Sequence, residues 1–322
     1  MTKLDDSFFN LTPERVLESV EVGGRRATGY ALALNSLENR VYEVELEDET
    51  RLVAKFYRPG RWSRAAILAE HAFLRELEEA EVPVAAPLDL GDGTTLRESP
   101  AEGGALHYAV WPKVRGRVPE ELTDPQLAQL GRLVARLHTV GAARGEPDRP
   151  SLTPDSYGGA SLRVLMAGSW IPDELKPRFS AATQAIVDAC TTLWRDLPLI
   201  RIHGDCHLGN LLWGASGPFF VDFDDFLTGP PVQDLWLMAP GRDEDALRQR
   251  ELLADAYEEM RDFDRRTLKL VEPLRALRIL RYAAWIAQRW QDPAFQRTFP
   301  QFTEFAHWQR EVQELEDQLR RF

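Results

Sequence analysis

Residues 199–226 read LIRIHGDCHLGNLLWGASGPFFVDFDDF, a segment in which two polar clusters lie next to two apolar, strand-like runs. The runs are Leu211–Trp213 and Phe219–Val221. The first polar cluster holds Asp205 and, five residues later, Asn210, and the second cluster holds Asp222, twelve residues after Asn210. Polar residues at the ends of a hairpin are typical of a site that a rigid scaffold holds.

These residue types suit phosphoryl transfer. The transferred phosphoryl group carries charge on several oxygens, and Mg²⁺ offsets that charge. Mg²⁺ takes oxygen ligands, commonly one or two carboxylates plus the phosphates of the substrate. We therefore predict that Asn210 and Asp222 bind Mg²⁺, and that Asp205 accepts or orients the proton of the attacking hydroxyl. Asp205 and Asp222 are the predicted catalytic residues.

The chain before this segment reads as a sheet that carries one helix. Residue patterning predicts an antiparallel meander of three strands at Ala27–Leu34, Arg40–Leu46 and Leu52–Tyr57. Apolar residues at helical spacing then predict a helix over Trp62–Ala80. Strand-like segments return at Val82–Leu90 and Ala105–Pro112. We expect residues 1–112 to form a small N-terminal lobe.

The rest of the chain, residues 113–322, is expected to form a larger, mostly helical lobe, which makes the fold class α+β. Helices are predicted over Leu127–Val140, Pro177–Leu193, Glu244–Arg261, Arg265–Arg289 and Gln301–Leu319. A loop rich in Gly and Pro is predicted over Gly141–Gly159. Pro273 is expected to kink or split the fourth of these helices.

Composition excludes several other classes of protein. The chain has 322 residues with a formal net charge of −12, which disfavours nonspecific binding to nucleic acid or to anionic membranes. Two cysteines, Cys190 and Cys206, suit a reducing compartment. We find neither a secretory signal nor an apolar run long enough to span a membrane. We expect a cytoplasmic monomer that binds neither nucleic acid nor membrane.

The octapeptide His203–Asn210 matches the HxDxxxxN catalytic-loop pattern of the protein-kinase-like superfamily, and its HGDxHxGN wording resembles the aminoglycoside phosphotransferase branch. Asp222 lies where that superfamily has its metal-binding Asp. Lys55 resembles the strand lysine that pairs the ATP phosphates, and Glu70 resembles its partner on the following helix. The resemblance implies a two-lobed kinase-like fold, with ATP as co-substrate and Mg²⁺ as cofactor.

Three further stretches are similar to bacterial Ser/Thr protein kinases of this branch that act in stress response: Leu34–Tyr42, Lys55–Trp62 and Val82–Pro87. This similarity implies that the acceptors are Ser/Thr hydroxyls of proteins. The first hairpin turn lacks the glycine-rich loop of most protein kinases and carries short polar side chains instead. Because such side chains can donate hydrogen bonds to a phosphate, we place Ser36 at the nucleotide. The resemblance also implies that His203 packs under the metal-binding segment and that Asp234 braces the catalytic loop.

Three alternatives stay open at this point. The first alternative, and the runner-up to a protein kinase, is a small-molecule kinase of the aminoglycoside or choline type. A metallohydrolase would place His203, Asp205 and His207 on one face of a strand around zinc. A binding module of kinase shape without catalysis is the third alternative. Two further side chains have open roles. Asp224 shares a strand face with Asp222 by the period-two rule, where it touches a second metal or is solvated. Trp285 either lines a substrate groove or, as we favour, packs in the core.

Overall fold

The computed structural model describes residue 8 and residues 11–101 and 104–322 of the chain. Helix α1 (Pro13–Val20) precedes and covers a sheet of five antiparallel strands, which are β1 (Ala27–Leu34), β2 (Arg40–Leu46), β3 (Arg51–Phe56), β4 (Arg97–Ala101) and β5 (Gly104–Pro112). Their order in the sheet is β1-β2-β3-β5-β4. The predicted three-strand meander is therefore confirmed, within a five-stranded sheet.

Side chains that alternate in direction along β3 show which face of the sheet packs against α1. Leu52, Ala54 and Phe56 are buried on the side of α1, and they pack against Val16 and Val20 of that helix. Because successive strand side chains point to opposite faces, Lys55 points to the other side of the sheet. That side faces the second half of the molecule.

Helix α2 (Arg64–Glu79) lies on this second side and joins the two halves. It begins at Ser63, whose hydroxyl accepts a hydrogen bond of 3.1 Å from the amide of Ala66. Phe73 is completely buried, and its ring centroid lies 5.1 Å from that of Phe226. The helix therefore packs its apolar face against the segment that carries the polar clusters.

The second half is mainly helical. Its helices are α3 (Asp124–Ala142), α4 (Ala160–Ala167), α5 (Lys176–Leu193), α6 (Val232–Met238), α7 (Glu244–Glu258), α8 (Val271–Gln288), α9 (Pro293–Thr298) and α10 (Phe305–Leu319). Two small antiparallel ladders interrupt them, one between β6 (Ile200–Ile202) and β9 (Leu227–Gly229), the other between β7 (Leu211–Gly214) and β8 (Gly217–Phe220). The predicted two-lobed, kinase-like α+β architecture is thus confirmed.

Several local expectations were wrong. Residues 82–90 form no strand, although the amide of Leu88 bonds to the carbonyl of Val110, and β4 was not predicted. A π-helical turn, Asp155–Gly159, occupies the end of the expected loop. Pro273 does not kink a helix: a 3₁₀ turn covers Arg265–Leu270, and the proline lies in the first turn of α8, where its missing N–H costs no internal bond.

Among the helices of the described residues, none combines the length and the apolar character that crossing a bilayer requires.

Candidate active site

The predicted catalytic loop, His203–Asn210, follows β6. The carboxylate of Asp234, which is completely buried, holds the start of this loop. Asp234 accepts hydrogen bonds from the backbone amides of His203 and Gly204, both at 2.8 Å. The ring of His138, also fully buried, donates to the same carboxylate at 3.0 Å. This geometry agrees with the bracing role that the resemblance implied for Asp234.

The backbone of Gly204 and the side chain of His203 set the course of this loop. Gly204 has φ +83°, and a Cβ at this position would lie 2.6 Å from the carbonyl oxygen of Asp225, so only glycine fits here without strain. The buried ring of His203 donates from Nε2 to the carbonyl of Val221 at 3.0 Å. His203 therefore packs under the segment that carries Asp222, as the resemblance implied, and its Nδ1 accepts a hydrogen bond of 3.4 Å from the amide of Asp205.

Asp205 lies at the mouth of this loop with two cationic or potentially cationic neighbours. Its Oδ1 lies 2.6 Å from Nη1 of Arg278 on α8, and its Oδ2 lies 3.4 Å from Nε2 of His207. Burial by itself would raise the pKa of Asp205, but His207 and Arg278 outweigh burial and hold this pKa well below its usual range. Asp205 is therefore ionised at neutral pH.

Asn210 is oriented by Asp205. Its Nδ2 donates to the backbone carbonyl of Asp205 at 3.0 Å, and Nδ2 also lies 3.4 Å from Oδ2 of the same residue. This bonding commits the nitrogen of the amide to Asp205 and leaves its oxygen as an acceptor for another group.

Asp222 is the most open carboxylate of the cluster, with a side chain that is 58% exposed. Its backbone has φ 61° and ψ 64°, the left-handed region that Asp tolerates better than most residues. A 3₁₀ turn, Phe223–Asp225, follows immediately. The expectation that Asp222 and Asp224 share a strand face is therefore wrong, because the chain has left the strand before Asp222.

Lys55 reaches across from β3 into a group of three carboxylates. Its Nζ lies 2.9 Å from Asp224, 3.4 Å from Glu70 and 3.8 Å from Asp222. Burial of Lys55 would lower its pKa, but Asp224 and Glu70 outweigh burial and raise the pKa of this ammonium group. The predicted pairing of Lys55 with Glu70 is present, although the closest partner of Lys55 is Asp224.

Glu70 is almost fully buried on α2, and burial raises its pKa to about 7. Its Oε1 faces Lys55, whereas its Oε2 is buried with no hydrogen-bond partner among the described residues. Near neutral pH this carboxyl group therefore gains and loses a proton readily.

Asp224 is the residue whose importance the sequence did not reveal. It is 2% exposed, and it receives Lys55, the guanidinium of Arg61 and the side-chain amide of Asn39. Burial would raise the pKa of Asp224, but Arg61 and Lys55 outweigh burial and depress this pKa. The solvated role considered for Asp224 is wrong. With two cations and an amide already on its carboxylate, Asp224 is a poor candidate for a second metal ligand.

The polar turn between β1 and β2 is tied to the other lobe. The backbone amide of Asn39 bonds to Oγ of Ser36 at 3.4 Å. Glu38 accepts hydrogen bonds from Nε1 of Trp285 and from Nε of Arg289, both at 2.6 Å. Trp285 thus holds the turn as well as packing against Phe295, so its assignment to the core was incomplete.

Both lobes enclose one cleft with a volume of about 610 Å³, a size typical of pockets for small ligands and cofactors. Five of the six predicted site residues line it, namely Ser36, Lys55, Glu70, Asp205 and Asp222, and Asn210 adjoins it through Asp205. A free amide oxygen and an exposed carboxylate beside a buried lysine fit a nucleotide with a hard divalent cation.

The zinc alternative does not fit this geometry. β6 ends at Ile202, so His203, Asp205 and His207 do not alternate along a strand, and the ring of His203 is committed to Val221. Within the described ranges, no group of three or more His, Cys, Asp or Glu side chains is arranged to hold a metal ion.

On one face of α8, the sequence reasoning considered Trp285 for a substrate groove but missed the three residues beside it. Arg278, Arg281, Tyr282 and Trp285 line the cleft beside Asp205, together with Tyr157 from the π-helical turn. The four α8 residues follow the spacing i, i+3, i+4, i+7, which places them on one helical face. A stripe of polar and aromatic residues opposite the apolar face of a helix was the sequence signal that could have predicted this cleft-lining face.

Fold and site together define a kinase-like phosphotransferase. The family model described as "Phosphotransferase enzyme family" matches residues 31–271, and the chain belongs to this family. The resemblance found in the sequence is thereby confirmed, and the chain is an ATP-dependent kinase.

Curated relatives match over nearly the whole chain. "Stress response kinase A" of Salmonella paratyphi A and "Serine/threonine protein kinase RdoA" of Salmonella typhimurium are each 41% identical over 307 residues, covering 95% of this chain and 92% of theirs. Among solved structures, the amicoumacin kinase hAmiN in complex with AMP-PNP, Ca²⁺ and Ami has a TM-score of 0.78 at 21% identity, covering 94% of this chain and 93% of that chain. The last similarity shows the fold alone.

Proposed function

We propose that this protein transfers the γ-phosphoryl group of ATP to Ser/Thr hydroxyls of proteins and acts in a bacterial stress response. The observation that carries the proposal is the 41% identity, over 95% of the chain, to relatives named as a stress response kinase and a Ser/Thr protein kinase. The cleft supports it, because the residues to which we assign the phosphate and hydroxyl roles line it together.

The proposed roles follow from the geometry. Asp205, kept ionised by Arg278 and His207, orients the acceptor hydroxyl and draws its proton. Lys55 approaches the phosphates from β3 while Glu70 and Asp224 hold its ammonium group. Ser36 contributes donors from the turn that covers the cleft. Bound at Asn210 and Asp222, Mg²⁺ would offset the charge of the transferred group.

The arrangement of the chain supports a division of labour. We propose that residues 1–112 cover the nucleotide, and that residues 113–322 carry the catalytic loop, the metal site and the acceptor groove. The protein is proposed to act as a monomer, with ATP and Mg²⁺ in its cleft and protein substrates at its surface. The expected cytoplasmic location stays a prediction.

The decisive experiment incubates the protein with radiolabelled ATP, offering Ser/Thr-containing proteins and a panel of small alcohols in parallel. Label in protein supports the proposal. Label in a small alcohol alone would instead support the small-molecule kinase alternative, and ATP binding without any transfer would support the binding module.

Two variants separate the roles of the site residues. Asp205→Asn keeps the size of the carboxylate but cannot take the proton, so turnover should fall by about 10²–10⁴-fold while calorimetric binding of ATP with Mg²⁺ persists. Asp222→Ala should instead lose the Mg²⁺ dependence of nucleotide binding together with turnover. If Asp205→Asn lost binding and rate in parallel, Asp205 would be a metal ligand and its assignment would have to be changed.

A further inference from the structure

The cleft has a second half, beyond Asp205, that the nucleotide roles leave unused. We call it the α8 face and define it as Arg278, Arg281, Tyr282 and Trp285 of α8 with Tyr157 opposite. It begins at Asp205, because Nη1 of Arg278 lies 2.6 Å from Oδ1 of Asp205. A hydroxyl held by Asp205 therefore has its neighbouring groups on the α8 face.

The carboxylates on this side are already matched by cations. Asp205 is flanked by Arg278 and His207. Asp225 lies 2.7 Å from Nη2 of Arg61. Glu38, at the far end of the face, receives Arg289 on both of its oxygens, at 2.6 and 3.0 Å. Negative charge on this half of the cleft is therefore balanced before any substrate enters.

Arg281 is the exception. Its guanidinium lies over the Tyr157 ring, 5.7 Å from the ring centre, a cation–π contact, and within the described part of the chain no carboxylate lies within 4.0 Å of it. Only part of its side chain is exposed, and it lines the cleft. A guanidinium in a cation–π contact with an aromatic ring keeps its N–H groups available to a planar anion.

The aromatic residues beside it form a flat apolar wall. Tyr282 is 51% exposed, and its ring is stacked on Trp285 with 5.5 Å between centroids and 20° between planes. Such a surface accommodates the backbone and the aliphatic part of a peptide. A polycationic acceptor, by contrast, would place its ammonium groups against Arg278 and Arg281.

We propose that the α8 face selects Ser/Thr acceptors flanked by acidic residues, and that Arg281 is the residue that reads the flanking carboxylate. The inference rests on the proposed protein kinase function and names its substrate class. A bidentate hydrogen bond between a guanidinium and a carboxylate is both stronger and more directional than a neutral hydrogen bond. Arg278 stays with Asp205, so Arg281 alone is available for this contact.

The test compares three synthetic peptides that share one central serine and differ only in flanks of Asp/Glu, Gln or Lys/Arg. The kcat/KM for the acidic peptide should exceed that for the Gln peptide by on the order of tenfold, mainly through KM, and the basic peptide should be poorest. Arg281→Gln should reduce the ratio of acidic to Gln peptide towards one, Arg281→Lys should restore part of it, and Arg281→Glu should favour the basic peptide.

Arg310→Gln, which removes an exposed arginine on α10, is the matched control and should keep the wild-type ratio. Calorimetric ATP binding checks that each variant is folded. Equal kcat/KM for all three peptides would overturn the α8-face proposal while the protein kinase function stands. Transfer to small alcohols and to no peptide would overturn both. An unchanged ratio in Arg281→Gln would remove Arg281 from the recognition of the flanking charge.

Discussion

The brace at Asp234 offers a sharp test of how the fold controls the active site. Oδ2 of Asp234 accepts from the amide of His203 and the ring of His138, and Oδ1 accepts from the amide of Gly204. Asp234→Ala would leave three buried donors without an acceptor. Each costs about 1–3 kcal/mol, and breaking a buried charged network costs about 3–5 kcal/mol. We expect a loss of about 3–5 kcal/mol in the free energy of unfolding.

Asp234→Asn is the milder perturbation and keeps the prediction testable if the alanine variant does not fold. The amide offers a single acceptor oxygen, which can serve either the side of His203 and His138 or the side of Gly204. One donor at least then faces an NH₂ group, so the loss should be about 1–3 kcal/mol. The loop that carries Asp205 should shift, and a shift near 1 Å can reduce turnover by about 10²-fold.

The assay is urea unfolding alongside kcat and the KM for ATP. Because Lys55 and the turn over the cleft do not depend on Asp234, kcat should fall while the KM for ATP changes little. Asp262→Asn, at an exposed aspartate in the loop after α7, is the matched control and should behave as wild type. Wild-type stability and kcat in Asp234→Asn would refute the bracing argument.

Two further predictions concern the charged cluster in the cleft. Lys55→Met keeps much of the side-chain stem but removes the charge, so the rate of phosphoryl transfer should fall by about 10²-fold or more, whereas nucleotide affinity should change less. Initial rates and calorimetry measure these two effects. Wild-type turnover in this variant would show that Lys55 does not bind the phosphates. Burial raises the pKa of Glu70 from 4.5 to about 7, so its contribution to the stability of the nucleotide-free protein is present below pH 4.5 and is lost as pH rises to about 7. Glu70→Gln removes this loss, and unfolding curves between pH 5 and 8 should show the variant gaining on wild type by up to about 1.4 kcal/mol per pH unit; parallel pH profiles would contradict the assignment.

The sequence predicted the elements whose signals are local. Alternation in residues 27–56 marked the meander, and the spacing of Asp205, Asn210 and Asp222 marked the loop and the metal candidates. Lys55 was recognised because a lysine between apolar strand residues, followed by a helix with Glu70, forms a recognisable order. Each of these signals can be detected from the types of residues that lie close to one another in the sequence.

Local signals also explain the local errors. Residues 82–90 have the apolar character of a strand, but strand formation needs a continuous partner. Here the segment makes isolated backbone bonds to two different strands, from the amide of Leu88 to the carbonyl of Val110 and from the amide of Phe220 to the carbonyl of Pro83. The period-two rule grouped Asp222 with Asp224, but the left-handed backbone at Asp222 turns the chain out of the strand. Asp222 thereby opens to the cleft while Asp224 turns inward.

The contacts that only the tertiary structure decided join residues far apart in the chain. Asn39 and Asp224 are 185 residues apart, and Glu38 and Arg289 are 251 residues apart. No residue pattern states that these charges meet, because burial and pairing depend on how the two lobes approach. The sequence determined the family, the fold and the chemical groups of the site. The packing of the lobes decided which carboxylate lies nearest to Lys55 and which arginine on α8 pairs with Asp205.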